Sequence, residues 1–416
     1  MPTIFANENF LKILYFTTKS INIFSLFFNL NFMEKDRIGI ACAGGKSPGW
    51  PAGIKAITDV AENAGLEAVG IEFGFEGLVV PNADFKNIHY YGDQKDFLCS
   101  NASPIFRSRY TPFNKNNGSY EADEVRDARA LMEFMESEEK GIIEDNIKRN
   151  RLRHLILMGG DDSLWTLKML MEAGIISGCL VPKTIDNDLT ETLSHGHISA
   201  GQAGRDFVDQ MRIEARDDKR IMVVESMGRY AAHLAMQHYN ADIVLPAKEI
   251  EITKEQVQAR VLEVFNKNGT KDHGDPNKGH GVLVVAEGFL IDGEETFKSQ
   301  EEDDHGHKRL GDVGRRVKEW IEEIGIASEQ VCPSYLYRTC CPVPECSALT
   351  QELAAKSTSE SIRGNAGISS VARNRSGGGF DVSWMPLSEI SGGKLMSPDH
   401  YNLDQLMPKS DKLRAE

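Results

Sequence analysis

Short apolar runs without polar alternation recur along the chain, each followed by a glycine-bearing loop and then a helix-like stretch of mixed polarity. Ile38-Gly39-Ile40-Ala41-Cys42-Ala43 leads into Gly44-Gly45 and Leu155-Ile156-Leu157-Met158 into Gly159-Gly160. Ile221-Met222-Val223-Val224 leads into Glu225-Ser226-Met227-Gly228, and Val282-Leu283-Val284-Val285-Ala286 into Glu287-Gly288. A strand with one wet face alternates in polarity, whereas a strand apolar at every position is buried on both faces, as in a parallel sheet covered by helices. The pattern predicts an α/β fold with mainly parallel sheets flanked by helices.

Between the runs, Glu121 to Arg153 interleaves charges with Ala128, Leu131, Met132, Phe134, Met135, Ile142, Ile143 and Ile147, the pattern of a helix with a solvated face. Another helix is expected from about Pro51. Asn266 to His280 and Ser299 to Gly311, rich in Gly, Asp, Asn, Lys and His, read as surface loops with solvent-exposed histidines. No short fixed-period repeat is present.

With 416 residues, 41% of them apolar, the chain can bury a large core, and two closely packed lobes are expected. The net charge of −15 rules out a general basic field for a nucleic-acid backbone, so an anionic ligand must meet a local cluster of cations. Residues 1–33 are rich in Phe, Asn and Ile, but Asn interrupts the apolar run well short of the roughly 20 residues of a membrane span, and no Arg marks a transit peptide. Met33 is read as the natural start and the leader as disordered or an upstream misannotation, with a targeting role as the alternative; a cytoplasmic location is expected. Seven cysteines, Cys42, Cys99, Cys179, Cys332, Cys340, Cys341 and Cys346, form no C-x-x-C pair and are read as reduced packing residues.

Loops at the carboxyl ends of parallel strands are where open α/β folds bind ligands, and the candidate motifs fall there. Gly44-Gly45-Lys46-Ser47 is not a P-loop, because Ile40 stands where the first Gly belongs. It leaves a strand, a Gly-Gly turn and a helix start, a geometry equally suited to a tight turn or to receiving phosphate. Gly159-Gly160-Asp161-Asp162-Ser163 opens a helix; its glycines permit close backbone approach and Ser163 can cap the helix or bind an oxygen. Asp161 and Asp162 suit the helix dipole, or Mg²⁺, which takes one or two carboxylates plus substrate oxygens. Val181-Pro182-Lys183-Thr184-Ile185-Asp186-Asn187-Asp188 is a turn that alone could be structural. It also combines a cation, a hydroxyl, an amide and two carboxylates, the parts for placing a nucleophilic hydroxyl, accepting its proton and neutralising a transferring phosphoryl group.

In this order Gly-Gly-Asp-x-Ser, Pro-Lys-Thr-Ile-Asp-Asn-Asp, Met227-Gly228-Arg229 and Ala286-Glu287-Gly288 resemble the phosphofructokinase family, from about Arg37 to Val371. The resemblance implies two Rossmann-like lobes: a phosphoryl-donor lobe over 34–190 with part of 339–416, and a sugar-phosphate lobe over 191–338. It implies that Asp186 is the general base on the fructose 6-phosphate 1-hydroxyl and that Asp161 helps hold Mg²⁺. Gly45, Arg109, Asp162, Ser163 and Lys183 would line the donor site. Thr184, Asp188, Met227, Gly228, Arg229 and Glu287 would contact the sugar phosphate, with Lys183 and Arg229 stabilising transferred charge. Arg220, nine residues before Arg229, matches an Arg that the family extends across a subunit interface, which implies a homodimer or homotetramer with shared sites.

The family's ATP-using members carry glycines where this chain has Asp162 and Lys183, so the resemblance points to its pyrophosphate-dependent branch. Physical reasoning agrees. Asp162 would face a nucleotide's α-phosphate, a repulsion on the order of 4 kcal/mol at about 4 Å and an effective dielectric near 20. Lys183 offers a compact charge to free pyrophosphate. An ATP donor, a non-catalytic regulatory subunit, and another acceptor such as sedoheptulose 7-phosphate are the alternatives.

The pattern breaks in places. Pro333-Ser334-Tyr335-Leu336-Tyr337-Arg338 lacks the family's Gly pair, although Tyr335 and Arg338 can fill its two sugar-phosphate positions; Asn101-Ala102 replace glycines ahead of Arg109; and Trp50-Pro51 replaces an expected Met-Asn or His-Asn.

Overall fold

The uniformly apolar runs become central strands. In the computed structural model, which describes residues 36–92, 102–113, 123–229, 231–302 and 308–409, these are β1 (Arg37–Cys42), β2 (Glu67–Ile71), β3 (Lys86–Asn87), β4 (Leu152–Gly159), β5 (Gly178–Thr184), β6 (His195–Gly196) and β7 (Ile221–Ser226). They are followed by β8 (Ile243–Leu245), β9 (Gly281–Ala286), β10 (Phe297–Glu302), β11 (Lys308–Leu310), β12 (Ser328–Val331), β13 (Ile368–Asn374) and β14 (Phe380–Pro386). The first sheet has the order β14-β13-β5-β4-β1-β2-β3, with β6 beside the end of β5. Its interior is parallel, and only the edge strands β3 and β14 run antiparallel to their neighbours. The second sheet, β12-β7-β9-β8, is parallel throughout.

Both faces of the first sheet are covered, which explains the lack of alternation. Ile38, Ile40 and Cys42 join Met158 and Val181 under α1 (Trp50–Asn63), together with Leu349 and Leu353. On the other face Ala41, Leu155 and Leu157 pack with Phe134, Ile143, Leu164, Leu167 and Leu170. The second sheet packs likewise against Val208 and Ala215 of the helix His197–Asp218 and against Val257, Val261, Val264, Val317, Trp320 and Ile321.

Several expectations change. The helical stretch expected over 121–153 is two helices, α2 (Asp123–Glu136) and α3 (Glu138–Arg149), because Ser137 leaves helical geometry and accepts the Lys140 N–H as a cap; Leu152 already begins β4. Asn266 to His280 is not a loop in its first half. α4 there runs from Lys254 to His273 and stops at Gly274, whose φ of 65° is the left-handed cap. His280 is buried against the Asp272 carboxylate rather than solvated. Ser299 to Gly311 belongs to the β10–β11 hairpin, with 303–307 outside the described residues. Cys42, Cys179 and Cys346 are buried free thiols, but Cys332 and Cys341 are exposed and fill no core, while Cys99 lies outside the described residues. The leader, 1–33, also lies outside them. No helix among the described residues is long and apolar enough to cross a membrane.

Candidate active site

In sheet order β5-β4-β1-β2, the chain passes from β1 to β2 on one side and from β4 to β5 on the other, so the loops after β1 and β4 diverge and leave a crevice at the strands' carboxyl ends. Register brings the motifs together there: Cys42 lies opposite Met158, and Gly159 opposite Pro182. Lys183 and Thr184, expected in a turn, are the last residues of β5, and the turn proper begins at Ile185. Asn187, at φ 54°, closes it by accepting the Ser194 N–H at 3.0 Å.

The Gly44-Gly45 turn faces a cluster of cations. Gly44, at φ 85°, donates its N–H to the Ser108 carbonyl at 2.8 Å, which docks the segment carrying Arg107 and Arg109 beside the turn. A Cβ on Gly44 would stand 3.3 Å from Lys183 Nζ and 3.4 Å from Ser163 Oγ; one on Gly45 would stand 2.5 Å from Arg338 Nη1 and 3.4 Å from Arg109 Nη2. Lys183 is buried, donates to the Gly45 carbonyl at 2.8 Å, and has its pKa pulled down to about 7 by burial, then by Arg338, Arg109 and Arg107. This is a concentration of positive charge that an anion relieves. Asp161 and Asp162 begin a helix running to Glu172, at its positive dipole end, and Ser163 behind them is buried.

The carboxylates gather next to it. Asp186 donates its N–H to Thr184 Oγ1 at 3.0 Å. Asp188 Oδ1 is shut off from solvent without a hydrogen-bond partner, and its carboxyl pKa is raised by burial and by the Asp186 charge, with Asp161 adding to it. Gly392 covers Asp161 so closely that a Cβ would overlap its carboxyl group. An orphaned acid oxygen beside two further carboxylates fits a divalent cation that keeps some water and substrate oxygens as ligands. Among the described residues no three His, Cys, Asp or Glu side chains close around one point by themselves.

The second sheet supplies the opposite wall. Ser226 and Ala286 are paired at the ends of β7 and β9, so the loops after them emerge together. Gly228 donates its N–H to Glu287 Oε1 at 3.3 Å, and Gly288 must be glycine because a Cβ would overlap the Arg229 carbonyl. Burial pushes the Glu287 pKa up to about 7, with Asp186 adding to it and Arg229 opposing it, so the two walls share one electrostatic site. Met227 packs on Ile185, Leu234 and Tyr337, joining the walls sterically.

One expected residue stands apart. Arg220 precedes β7, at the end opposite Gly228, and is ion-paired with Asp218; within the chain it does not reach the crevice. Tyr335 is 70% exposed and lies near Arg107, on the donor side rather than the sugar side. Arg338, expected on the sugar side, stands at the donor turn, its Nη1 donating to the Lys46 carbonyl at 3.4 Å. Sequence reasoning passed over Arg107, whose Nη1 donates to the Gly44 carbonyl at 3.1 Å. Its spacing of two from Arg109 on an extended segment is the signal that puts both on one side.

The Phosphofructokinase family profile matches residues 37–360. An ATP-dependent 6-phosphofructokinase 3 from Bacteroides thetaiotaomicron is 28% identical over 88% of this chain and 96% of its own length. A pyrophosphate--fructose 6-phosphate 1-phosphotransferase from Dictyoglomus thermophilum is 30% identical over 74% of this chain and 80% of its own. The crystal structure of a pyrophosphate-dependent phosphofructokinase from Nitrosospira multiformis superposes with a TM-score of 0.71 at 18% identity, covering 91% of each chain, a likeness of fold.

Proposed function

The chain belongs to the phosphofructokinase family, and on that premise we propose that it transfers a phosphoryl group from pyrophosphate to the 1-hydroxyl of D-fructose 6-phosphate, giving fructose 1,6-bisphosphate and phosphate. The observation that carries the donor is the Lys183 ammonium in contact with the Gly45 carbonyl, beside Arg107, Arg109 and Arg338. Four cationic side chains around a two-glycine turn suit a compact, highly charged anion. Asp162 at the next helix start disfavours the run of phosphates and ribose that a nucleotide would lay there.

In this reading Asp186 accepts the proton of the 1-hydroxyl as its oxygen bonds to the near phosphorus of pyrophosphate. The bridging P–O bond breaks, and the departing phosphate keeps its electron pair beside Lys183, Arg109 and Arg338. Arg229 faces the transferring group from the second wall, and Thr184, Asp188, Met227, Gly228 and Glu287 orient the sugar phosphate. Bound Mg²⁺ would supply charge neutralisation on the phosphoryl oxygens, with Asp161 as its holder. The same groups serve the reverse direction, so the reaction is readily reversible. The sheet with β1, β4 and β5 is the donor lobe and the sheet with β7 and β9 the sugar-phosphate lobe of a cytoplasmic homodimer or homotetramer, in which Arg220 serves a neighbouring subunit.

ATP as donor is the second reading, favoured by the ATP-dependent relative that spans most of the chain. Incubation of the pure protein with Mg²⁺, fructose 6-phosphate and either donor separates the two. Turnover with pyrophosphate at least tenfold above ATP in kcat/KM is expected; strict ATP preference overturns the donor assignment. Sedoheptulose 7-phosphate, supplied in competition, tests the acceptor. Turnover with none of these substrates would leave a regulatory subunit.

A further inference from the structure

Trp50 occupies a position where the sequence departs from its family, and the donor chemistry above does not use it. It is fully buried at the first turn of α1, directly after Gly49, whose φ is 101°. The Lys183 ammonium stands 5.0 Å from the centroid of its ring. Besides its apolar neighbours in the core, Trp50 meets the His195 ring edge-on, with centroids 5.9 Å apart. His195 is opposite Lys183 in the β5–β6 ladder, is fully buried, and leaves Nε2 without a partner while Nδ1 faces the Pro48 carbonyl at 3.4 Å. Burial and the Lys183 charge pull its pKa down to about 3, so the ring is neutral at working pH.

We propose that Trp50 and His195 are positioning residues for the donor site, Trp50 holding the Lys183 ammonium at the Gly44-Gly45 turn with its ring face and His195 fixing that ring. The inference rests on the reading of Lys183 as a donor-binding residue. The physical need is plain: a lysine has four rotatable side-chain bonds and is repelled by three nearby guanidiniums, so a single carbonyl at 2.8 Å is a weak tether. An aromatic face supplies an attraction without adding an anion that would compete with the donor. A neutral imidazole suits the outer place, since a protonated one would repel Lys183 across the ladder.

A double-mutant cycle tests this. Pyrophosphate binding to the whole protein is measured by calorimetry, and the KM values for both substrates by assay, for wild type, Trp50→Leu, Lys183→Met and the double variant; Trp50→Phe and His195→Phe are measured alongside. Trp50→Leu should weaken pyrophosphate binding about tenfold, the size of a desolvated cation–π contact, and leave the fructose 6-phosphate KM within twofold. In the Lys183→Met background the same change should have no further effect, and Trp50→Phe should recover most of the binding. His195→Phe should weaken pyrophosphate binding less than Trp50→Leu. Additive losses, equal loss of both substrates, or no rescue by Phe would make Trp50 a core residue only and overturn the proposal, as would a Trp50→Leu protein that binds pyrophosphate normally. If wild type binds ATP and not pyrophosphate, the donor assignment has failed, and the cycle run with ATP still decides whether Trp50 acts through Lys183.

Discussion

Gly228 on one wall of the crevice donates its N–H to the carboxyl of Glu287, and that carboxyl also lies in the field of Asp186 on the opposite wall. A buried acid held by one backbone donor and pushed by another acid carries a pH signature. Its pKa is raised from 4.5 to about 7, so its contribution to stability is present in full below about pH 4.5 and is lost as pH rises through 7. Glu287→Gln keeps the acceptor for Gly228 and removes the charge. Denaturant unfolding of the protein without substrates should therefore show the variant within about 1 kcal/mol of wild type at pH 5 and more stable by on the order of 3 kcal/mol at pH 8. Equal differences at both pH values would refute the assignment.

Lys183 titrates in the opposite sense. Its pKa is lowered to about 7, so above that pH the empty site holds a neutral amine. An anion favours the ammonium and must draw in a proton. Calorimetry of pyrophosphate binding at pH 8, in buffers of different ionisation heat, should report proton uptake that is smaller in Lys183→Met by the share belonging to the amine.

Asp186→Asn removes the proposed base without changing volume. A loss of about 10²–10⁴-fold in kcat is expected, with an unchanged circular dichroism spectrum. Because the Asp186 charge helps raise the Asp188 pKa, the same variant should lower it, which carboxyl-edited NMR or a difference titration can read.

Gly392 lies on the Asp161 carboxyl group, and the carboxylate is the flexible end of its side chain. Gly392→Ala should therefore displace the carboxylate while the fold survives. The Mg²⁺ concentration for half-maximal activity should rise severalfold, and Mn²⁺ binding followed by electron paramagnetic resonance should weaken with it. Gly141→Ala, where a Cβ meets nothing, is the control.

The strands were legible because burial on both faces leaves an unbroken apolar signature, as Leu155 to Met158 shows. Boundaries set by single polar residues were not. Ser137 splits a continuous amphipathic pattern by capping, and Gly274 rather than composition ends α4. The order of the four loop motifs carried the site. The part that sequence did not reveal is convergence across distance: Arg107 and Arg338 meet at one glycine turn although more than two hundred residues separate them. His195 carries no motif and acquires meaning only from the strand pairing that sets it opposite Lys183.

The first sheet is interrupted by the second. β5 ends at Thr184, yet its outer partner β13 begins only at Ile368, after every strand of the other sheet has been made. During synthesis most of that β5 edge, all but the two residues that meet β6, must therefore wait unpaired for about 185 residues, a long-range closure that slows folding and exposes a strand edge. Nascent chains stalled before Ile368 should thus hold a paired second sheet, still lacking the Met396, Tyr401 and Leu406 that complete its core, beside an open first one, and chaperone capture or aggregation should fall once β13 and the segment through Leu406 have emerged.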